Sequence, residues 1–127
     1  KHGDGKNFVV IDAAMNDLIR PTLYEAHHDI LPVRQPAPGA ASITADVVGP
    51  VCETGDYLAL DRTLPELKSG DLIAILTAGA YGAVQSGTYN TRPLVPEVLV
   101  KDDRYAVVRP RLDVDALIAV DKTAPWL

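Results

Sequence analysis

The sequence predicts a mainly β fold, a barrel or sandwich with short helices, on three observations. Short runs of β-branched and aliphatic residues recur at irregular spacing, among them Phe8–Asp12, Ile43–Val48 and Leu72–Leu76. Nine glycines and ten prolines punctuate the chain between those runs. Helical patterning is confined to two short stretches.

Taken in order, Phe8–Asp12 follows a Gly/Asn turn and reads as a buried strand. Met15–Ile19 has the pattern of a single helical turn. A residue before proline is pushed out of the helical region, so Pro21 should end that helix near Arg20. Residues 32–40, with three prolines and a glycine, suit an extended surface loop. Ile43–Val48 is a second strand closed by Gly49-Pro50, and Asp56–Leu60 a short third one. Leu64-Pro65-Glu66-Leu67 and Lys68-Ser69-Gly70-Asp71 read as turns before the strand Leu72–Leu76. Residues 78–89, rich in small side chains, take no clear assignment. Pro96–Val100 and Tyr105–Arg109, joined by the polar Lys101–Arg104, predict a β-hairpin. Asp113–Val120, apolar at 114, 117, 118 and 120, predicts a short helix with Asp113 as its N-cap.

The opening Lys1-His2-Gly3-Asp4-Gly5-Lys6 has no initiator Met and reads as a turn whose first strand is missing. A cut through a larger protein is therefore expected, with a processed terminus or tag remnant as the alternative. An incomplete sheet would leave an edge that something else must cover. With no internal repeat or change of composition, residues 1–127 are expected to form one domain.

Composition excludes several function classes. A net charge of −5 without a Lys/Arg cluster speaks against nucleic-acid binding. The longest apolar runs are too short to span a bilayer, so no membrane role is expected. A single cysteine, Cys52, excludes an internal disulfide framework and a multi-cysteine zinc site, and suits a cytoplasmic location. His27 and His28 are adjacent and should point apart, so no metal site is expected.

Three places carry possible chemistry. Cys52 lies in Gly49-Pro50-Val51-Cys52-Glu53-Thr54-Gly55-Asp56, at the exit of a strand. In a turn its thiol would be open to a ligand. A thiol is mostly protonated at neutral pH, and neighbouring carboxylates favour a proton donor over a thiolate nucleophile. Cysteine is also a common buried hydrophobe, which leaves both readings open. Arg20 and Tyr24 are four residues apart and would share a helical face, where guanidinium and phenol together could hold a carboxylate. The plainer alternative is a surface arginine packed over a tyrosine. Ala78-Gly79-Ala80-Tyr81-Gly82 lets the main chain approach a phosphate or ring, or is only a tight turn. It has neither dinucleotide-fingerprint nor Walker spacing, and no G-x-S-x-G elbow occurs.

Four phrases in order carry a resemblance: VIDAAMNDLIRPTLYEAHHDI (10–30), DVVGPVCETGD (46–56), GDLIAILTAGAYG (70–82) and YNTRPLVPEVLV (89–100). They resemble the C-terminal region of the diaminopimelate decarboxylases, among the fold-type III pyridoxal-phosphate decarboxylases. That resemblance implies a C-terminal β domain of a carboxy-lyase that forms L-lysine and CO2 from meso-2,6-diaminopimelate in lysine biosynthesis. Arg20 and Tyr24 would bind the distal carboxylate, and Glu53 the distal amino group. Cys52 would protonate the carbon that has lost CO2, and Tyr81 would reach substrate and cofactor. The family works as a homodimer in which Cys52 and Glu53 enter the other subunit's site. Its cofactor-bearing lysine lies in an N-terminal (β/α)8 barrel. Lys68, Lys101 and Lys122 stand in no comparable context, so this stretch alone is expected to be inactive. Relatives acting on ornithine carry aspartate after the cysteine, which makes Glu53 together with Arg20 the feature pointing to diaminopimelate. The competing expectations are an ornithine/arginine or carboxynorspermidine decarboxylase, or a noncatalytic β domain for dimerisation or binding.

Overall fold

In the computed structural model, described for residues 1, 3 and 5–127, the chain divides into two compact units, Lys1–Ser86 and Gly87–Leu127. The first unit holds two small sheets. Strand β1 (Phe8–Val10) pairs parallel with β3 (Ser42–Val48), which pairs antiparallel with β4 (Tyr57–Pro65). Parallel pairing needs a crossover. Here the crossover carries helix α1 (Arg20–Tyr24) and strand β2 (Ile30–Pro32), which pairs antiparallel with β5 (Ile73–Ile75). The sheets are mainly β architecture as expected, but they are open; among the described residues no strand pairing closes them into a barrel.

Both sheets and the chain before α1 contribute to one core, formed by Leu18, Ile30, Val47, Leu58, Ala59 and Leu64. Val9, Ile11, Leu67, Ile73 and Ile75 pack against it. The β3–β4 register is irregular between Ala45 and Val48, and it turns Ala45, Asp46 and Val47 all inward. A bulge breaks the in/out alternation in this way. The inward Asp46 carboxylate is satisfied by the Asp61 N–H (2.8 Å) and by Lys6 Nζ (2.8 Å), which also reaches Asp61 at 3.3 Å.

Three local expectations need correction. Phe8–Val10 is a half-buried edge strand with Val10 exposed: among the described residues no strand pairs with it besides β3, and only Phe8 exchanges backbone hydrogen bonds with Lys1, at 2.8 Å each. The helix begins at Arg20 instead of ending there: residues 15–17 form a turn, and Pro21 occupies the first turn of α1. Proline is tolerated at that position because the first N–H groups of a helix have no partner within it. Glu25, left-handed at φ 54°, closes α1 with its N–H on the Arg20 carbonyl. Strand β4 runs through Arg62, Thr63 and Leu64 to Pro65, beyond the expected Leu60 and into the first half of the expected Leu64–Leu67 turn. Its second half pairs with Ser42–Ala45, a long-range contact invisible in a polar local sequence. The Lys68–Asp71 turn does form, with Lys68 N–H on the Asp71 carboxylate at 2.7 Å. The opening segment turns back at Gly3, whose N–H meets the Lys6 carbonyl at 2.8 Å. His2 and Asp4 of that predicted turn lie outside the described residues.

The second unit contains the predicted hairpin, β6 (Glu97–Lys101) and β7 (Arg104–Arg109), reversed at Asp102-Asp103. Asp102 adopts φ 54°, which aspartate tolerates better than most residues. Arg109 ties the hairpin by an ion pair to Glu97 at 2.8 Å. Helix α2 (Val114–Ile118) starts as predicted, with the Asp113 carboxylate accepting the Asp115 N–H at 2.9 Å. No helix among the described residues is long and apolar enough to cross a membrane.

Two outcomes follow from the first unit's packing. Leu58 is 1% exposed at the centre of the core. Leu58→Ala should destabilise the protein by about 2–5 kcal/mol in chemical denaturation, through lost burial and the cavity left behind. The hydrogen bond to Asp46 holds the Lys6 ammonium above the ordinary lysine value. A raised folded-state value means the stabilisation is complete below the ordinary lysine range and fades as pH rises through the raised value. The stability gap between the wild type and Lys6→Met should therefore shrink from about pH 8 to about pH 11.

Candidate functional site

The five candidate residues all lie in the first unit, on three segments: α1, the loop 49–56 between β3 and β4, and residues 78–82 after β5. Cys52 is exposed, so the reading as a small core residue does not hold. Glu53 is exposed beside it, and its carboxylate accepts the Gly55 N–H at 3.2 Å. That contact leaves a side chain at the tip of the loop still open to solvent. The Glu53 N–H binds the Val51 carbonyl (2.8 Å) and the Asp56 N–H binds the Glu53 carbonyl (3.0 Å), which makes the loop a compact double turn.

The base of that loop is buried. Val51 faces inward, and its N–H donates to Asp56 Oδ2 at 2.6 Å. Asp56 Oδ1 accepts the Met15 N–H at 2.7 Å. A second tie joins the loop to α1, where the Thr22 hydroxyl donates to the Gly55 carbonyl and lies 3.4 Å from the Tyr57 carbonyl. A Cβ on Gly55 would lie 2.9 Å from Thr22 Cγ2, so glycine is what permits the close approach. Thr22 and Asp56 were not singled out by the sequence. The only local signal for either is the Gly55-Asp56 pair that ends the turn.

Arg20 and Tyr24 lie one turn apart on α1, as their spacing requires, and Tyr24 is exposed. Arg20 does pack over a tyrosine, but that tyrosine is Tyr81, with the guanidinium carbon 5.8 Å from the ring centroid. The structure thus brings the first and third segments together, a contact across 61 residues that helical spacing cannot show. Tyr81 is 62% exposed and sits at φ 59°, in the left-handed region. A bulky residue held there costs about 1–3 kcal/mol and is characteristic of functional positions. Gly82 follows because the Ala78 carbonyl occupies the space a Cβ would need.

The adjacent histidines point apart, as expected. His27 Nε2 meets Asp29 at 3.2 Å while its Nδ1 accepts from Arg62 at 3.1 Å; His28 is buried, with Nδ1 on the Leu76 carbonyl at 3.0 Å. Among the described residues no three His, Cys, Asp or Glu side chains gather closely enough to hold a metal ion.

The arrangement offers an exposed thiol beside a carboxylate on a pinned loop. On α1 stand the Arg20 guanidinium, packed over the exposed Tyr81 ring, and the exposed Tyr24 phenol one turn on. Such groups can donate a proton, accept from an ammonium and hold a carboxylate.

Residues 1–79 match the family described as pyridoxal-dependent decarboxylase, C-terminal sheet domain. The diaminopimelate decarboxylase of Zymomonas mobilis is 48% identical over 127 residues, all of this chain and 30% of that protein. That of Vibrio cholerae is 52% identical over 125 residues, covering 98% of this chain and 29% of that protein. The crystal structure of the M. jannaschii diaminopimelate decarboxylase in co-complex with L-lysine superposes with a TM-score of 0.91 at 34% identity, over 100% of this chain and 29% of that one. The chain therefore spans about 30% of the length of the curated relatives it matches. The family match covers more than half of the chain and the fold agrees with it: the chain belongs to the pyridoxal-dependent decarboxylases, as their C-terminal sheet domain.

Proposed function

We propose that residues 1–127 serve as the C-terminal β domain of a cytoplasmic diaminopimelate decarboxylase, which forms L-lysine and CO2 from meso-2,6-diaminopimelate. The observation that carries this reading is the exposed Cys52-Glu53 pair on a loop hydrogen-bonded to the helix that presents Arg20 and Tyr24. The sequence likeness to diaminopimelate decarboxylases along the whole chain supports it.

Diaminopimelate carries a second amino-acid head at its far end, and each proposed contact answers one group of that head. The Arg20 guanidinium holds the distal carboxylate, with the Tyr24 hydroxyl as a second donor. Glu53 accepts from the distal ammonium; its neighbour Gly55 already fixes one carboxylate oxygen. A substrate lacking that head leaves these polar groups unpaired, which is the physical source of discrimination. The L-lysine product retains the same carboxylate and amino group at that end and would rest on the same three side chains.

At the reacting end the bond to the departing carboxylate breaks and its electron pair stays on carbon. The Cys52 Sγ–H donates the proton that completes the product, and the resulting thiolate is reprotonated from solvent. Pyridoxal phosphate, when bound, supplies the electron sink. The exposed Tyr81 phenol, on a backbone with little side-chain bulk around it, fits a contact at the edge of that group and its substrate. The family resemblance assigns the covalent lysine to an N-terminal (β/α)8 barrel, and Lys68, Lys101 and Lys122 stand in no comparable sequence context. The working unit is a homodimer, with Cys52 and Glu53 entering the other subunit's site.

The test is CO2 release by the complete enzyme from meso-diaminopimelate, ornithine, arginine and carboxynorspermidine. Diaminopimelate should give the highest kcat/KM, and a preference for any of the others overturns the substrate assignment. Cys52→Ala should lower kcat by about 10²–10⁴ with a smaller change in KM, the range for loss of a positioned acid. Glu53→Gln should reduce the preference for diaminopimelate over analogues without the distal amino group by about 10- to 100-fold in kcat/KM. An unchanged preference would remove Glu53 from substrate recognition.

A further inference from the structure

We propose that Asp56 is a positioning residue for the reaction: its buried carboxylate sets where the loop presents Cys52 and Glu53. The inference rests on the decarboxylase reading above. Its observations are separate from that reading, and they concern the base of the loop, not its exposed tip.

Asp56 is 4% exposed, a rare setting for a carboxylate unless donors meet it. Each oxygen meets a backbone N–H from a different segment, Val51 at 2.6 Å and Met15 at 2.7 Å. Its own carbonyl accepts the Gly49 N–H at 3.0 Å, and its N–H binds Glu53. One residue therefore closes the loop on itself and fastens it to the stretch that leads into α1. Val51 immediately precedes Cys52, so the exposed thiol is one peptide unit from a buried anchor.

Gly49 reports the same constraint from the opposite side. A Cβ there would lie 2.7 Å from Asp56 Cγ, so the carboxylate occupies the space of the missing side chain. A longer residue at 49 or a different acceptor pattern at 56 must move the loop. An asparagine has the shape of aspartate but only one acceptor oxygen. Its NH2 would face one of the two N–H donors and push it away.

Proton delivery needs the thiol within hydrogen-bond reach of the reacting carbon, and a displacement of about 1 Å costs on the order of 10²-fold in rate. Cys52 and Glu53 ride on the same loop. A shift at Asp56 therefore damages turnover and substrate discrimination together, a pairing that simple loss of stability does not produce.

The experiment compares wild type, Asp56→Asn, Gly49→Ala and a matched destabilised control, Val47→Ala in the β3 core, all in the complete homodimeric enzyme and per folded molecule. The readouts are kcat, the preference for diaminopimelate over an analogue without the distal amino group, and the rate of Cys52 alkylation by iodoacetamide located by peptide mass spectrometry. Asp56→Asn and Gly49→Ala should lower kcat by about 10- to 100-fold and reduce the preference. They should also change the alkylation rate by at least about threefold, while Val47→Ala leaves all three near wild type. Wild-type values for Asp56→Asn overturn the proposal, as do equal losses in the Val47→Ala control. Failure of both loop variants to fold also overturns it, since Asp56 would then be a folding residue. If the wild-type enzyme does not decarboxylate diaminopimelate, the functional reading falls, and the alkylation comparison alone decides the role of Asp56 in the loop.

Discussion

A carboxylate inside a small protein persists only where donors replace the water it has lost, and the described residues of the first unit contain two such groups, Asp46 on β3 and Asp56 at the end of the loop that leads into β4. Asp46 is met by a backbone N–H and the Lys6 ammonium, and Asp56 by two backbone N–H groups. Each requires a particular local distortion. Asp46 sits where the β3–β4 register slips, and Asp56 fills the space above Gly49. With these satisfied, the apolar side chains around Val47 and Leu58 can pack without an unpaired charge among them. The loop between the strands is then held at its base and free at its tip.

In the proposed function, that division between a fixed base and an open tip gives the loop its chemical use. A proton donor must reach a ligand and also return to the same place at each turnover. Exposure alone would provide the first, and the buried contacts of Val51 and Asp56 provide the second. The Thr22–Gly55 contact extends the same logic to α1, so the helix with Arg20 and Tyr24 and the loop with Cys52 and Glu53 behave as one piece of backbone. In the homodimeric reading those two groups serve neighbouring active sites. The tie inside each chain then fixes the two sites relative to each other as well as shaping each one.

Much of this was readable from local pattern. The hairpin showed in two apolar runs with a polar reversal, and α2 showed in Asp113 followed by helical spacing; both are short-range features with their causes adjacent in sequence. The candidate residues are legible as types in phrases, but the turn around Cys52 leaves both an exposed and a buried thiol open, and only the structure decides for exposure. What escaped were features decided by partners far along the chain. The second half of β4 is polar and owes its pairing to Ser42–Ala45. Asp56 looked like the end of a turn, yet one of its donors is 41 residues away. Arg20 found Tyr81 and not the tyrosine on its own helix. Pro21 reads as a stop by the restriction on the residue before proline, yet it suits the first turn of a helix, where its missing N–H costs nothing.

In the proposed function one chain carries two half-sites, a carboxylate clamp and a proton donor, which work in different active sites of a dimer. Mixing subunits tests it most directly. Arg20→Ala and Cys52→Ala enzymes, each inactive alone, are dissociated together and allowed to reassociate. A heterodimer would contain one site with both groups intact, so random pairing should restore roughly a quarter of wild-type CO2 release from diaminopimelate. A mixture with proven exchange of subunits that stays as inactive as its parents would contradict the account.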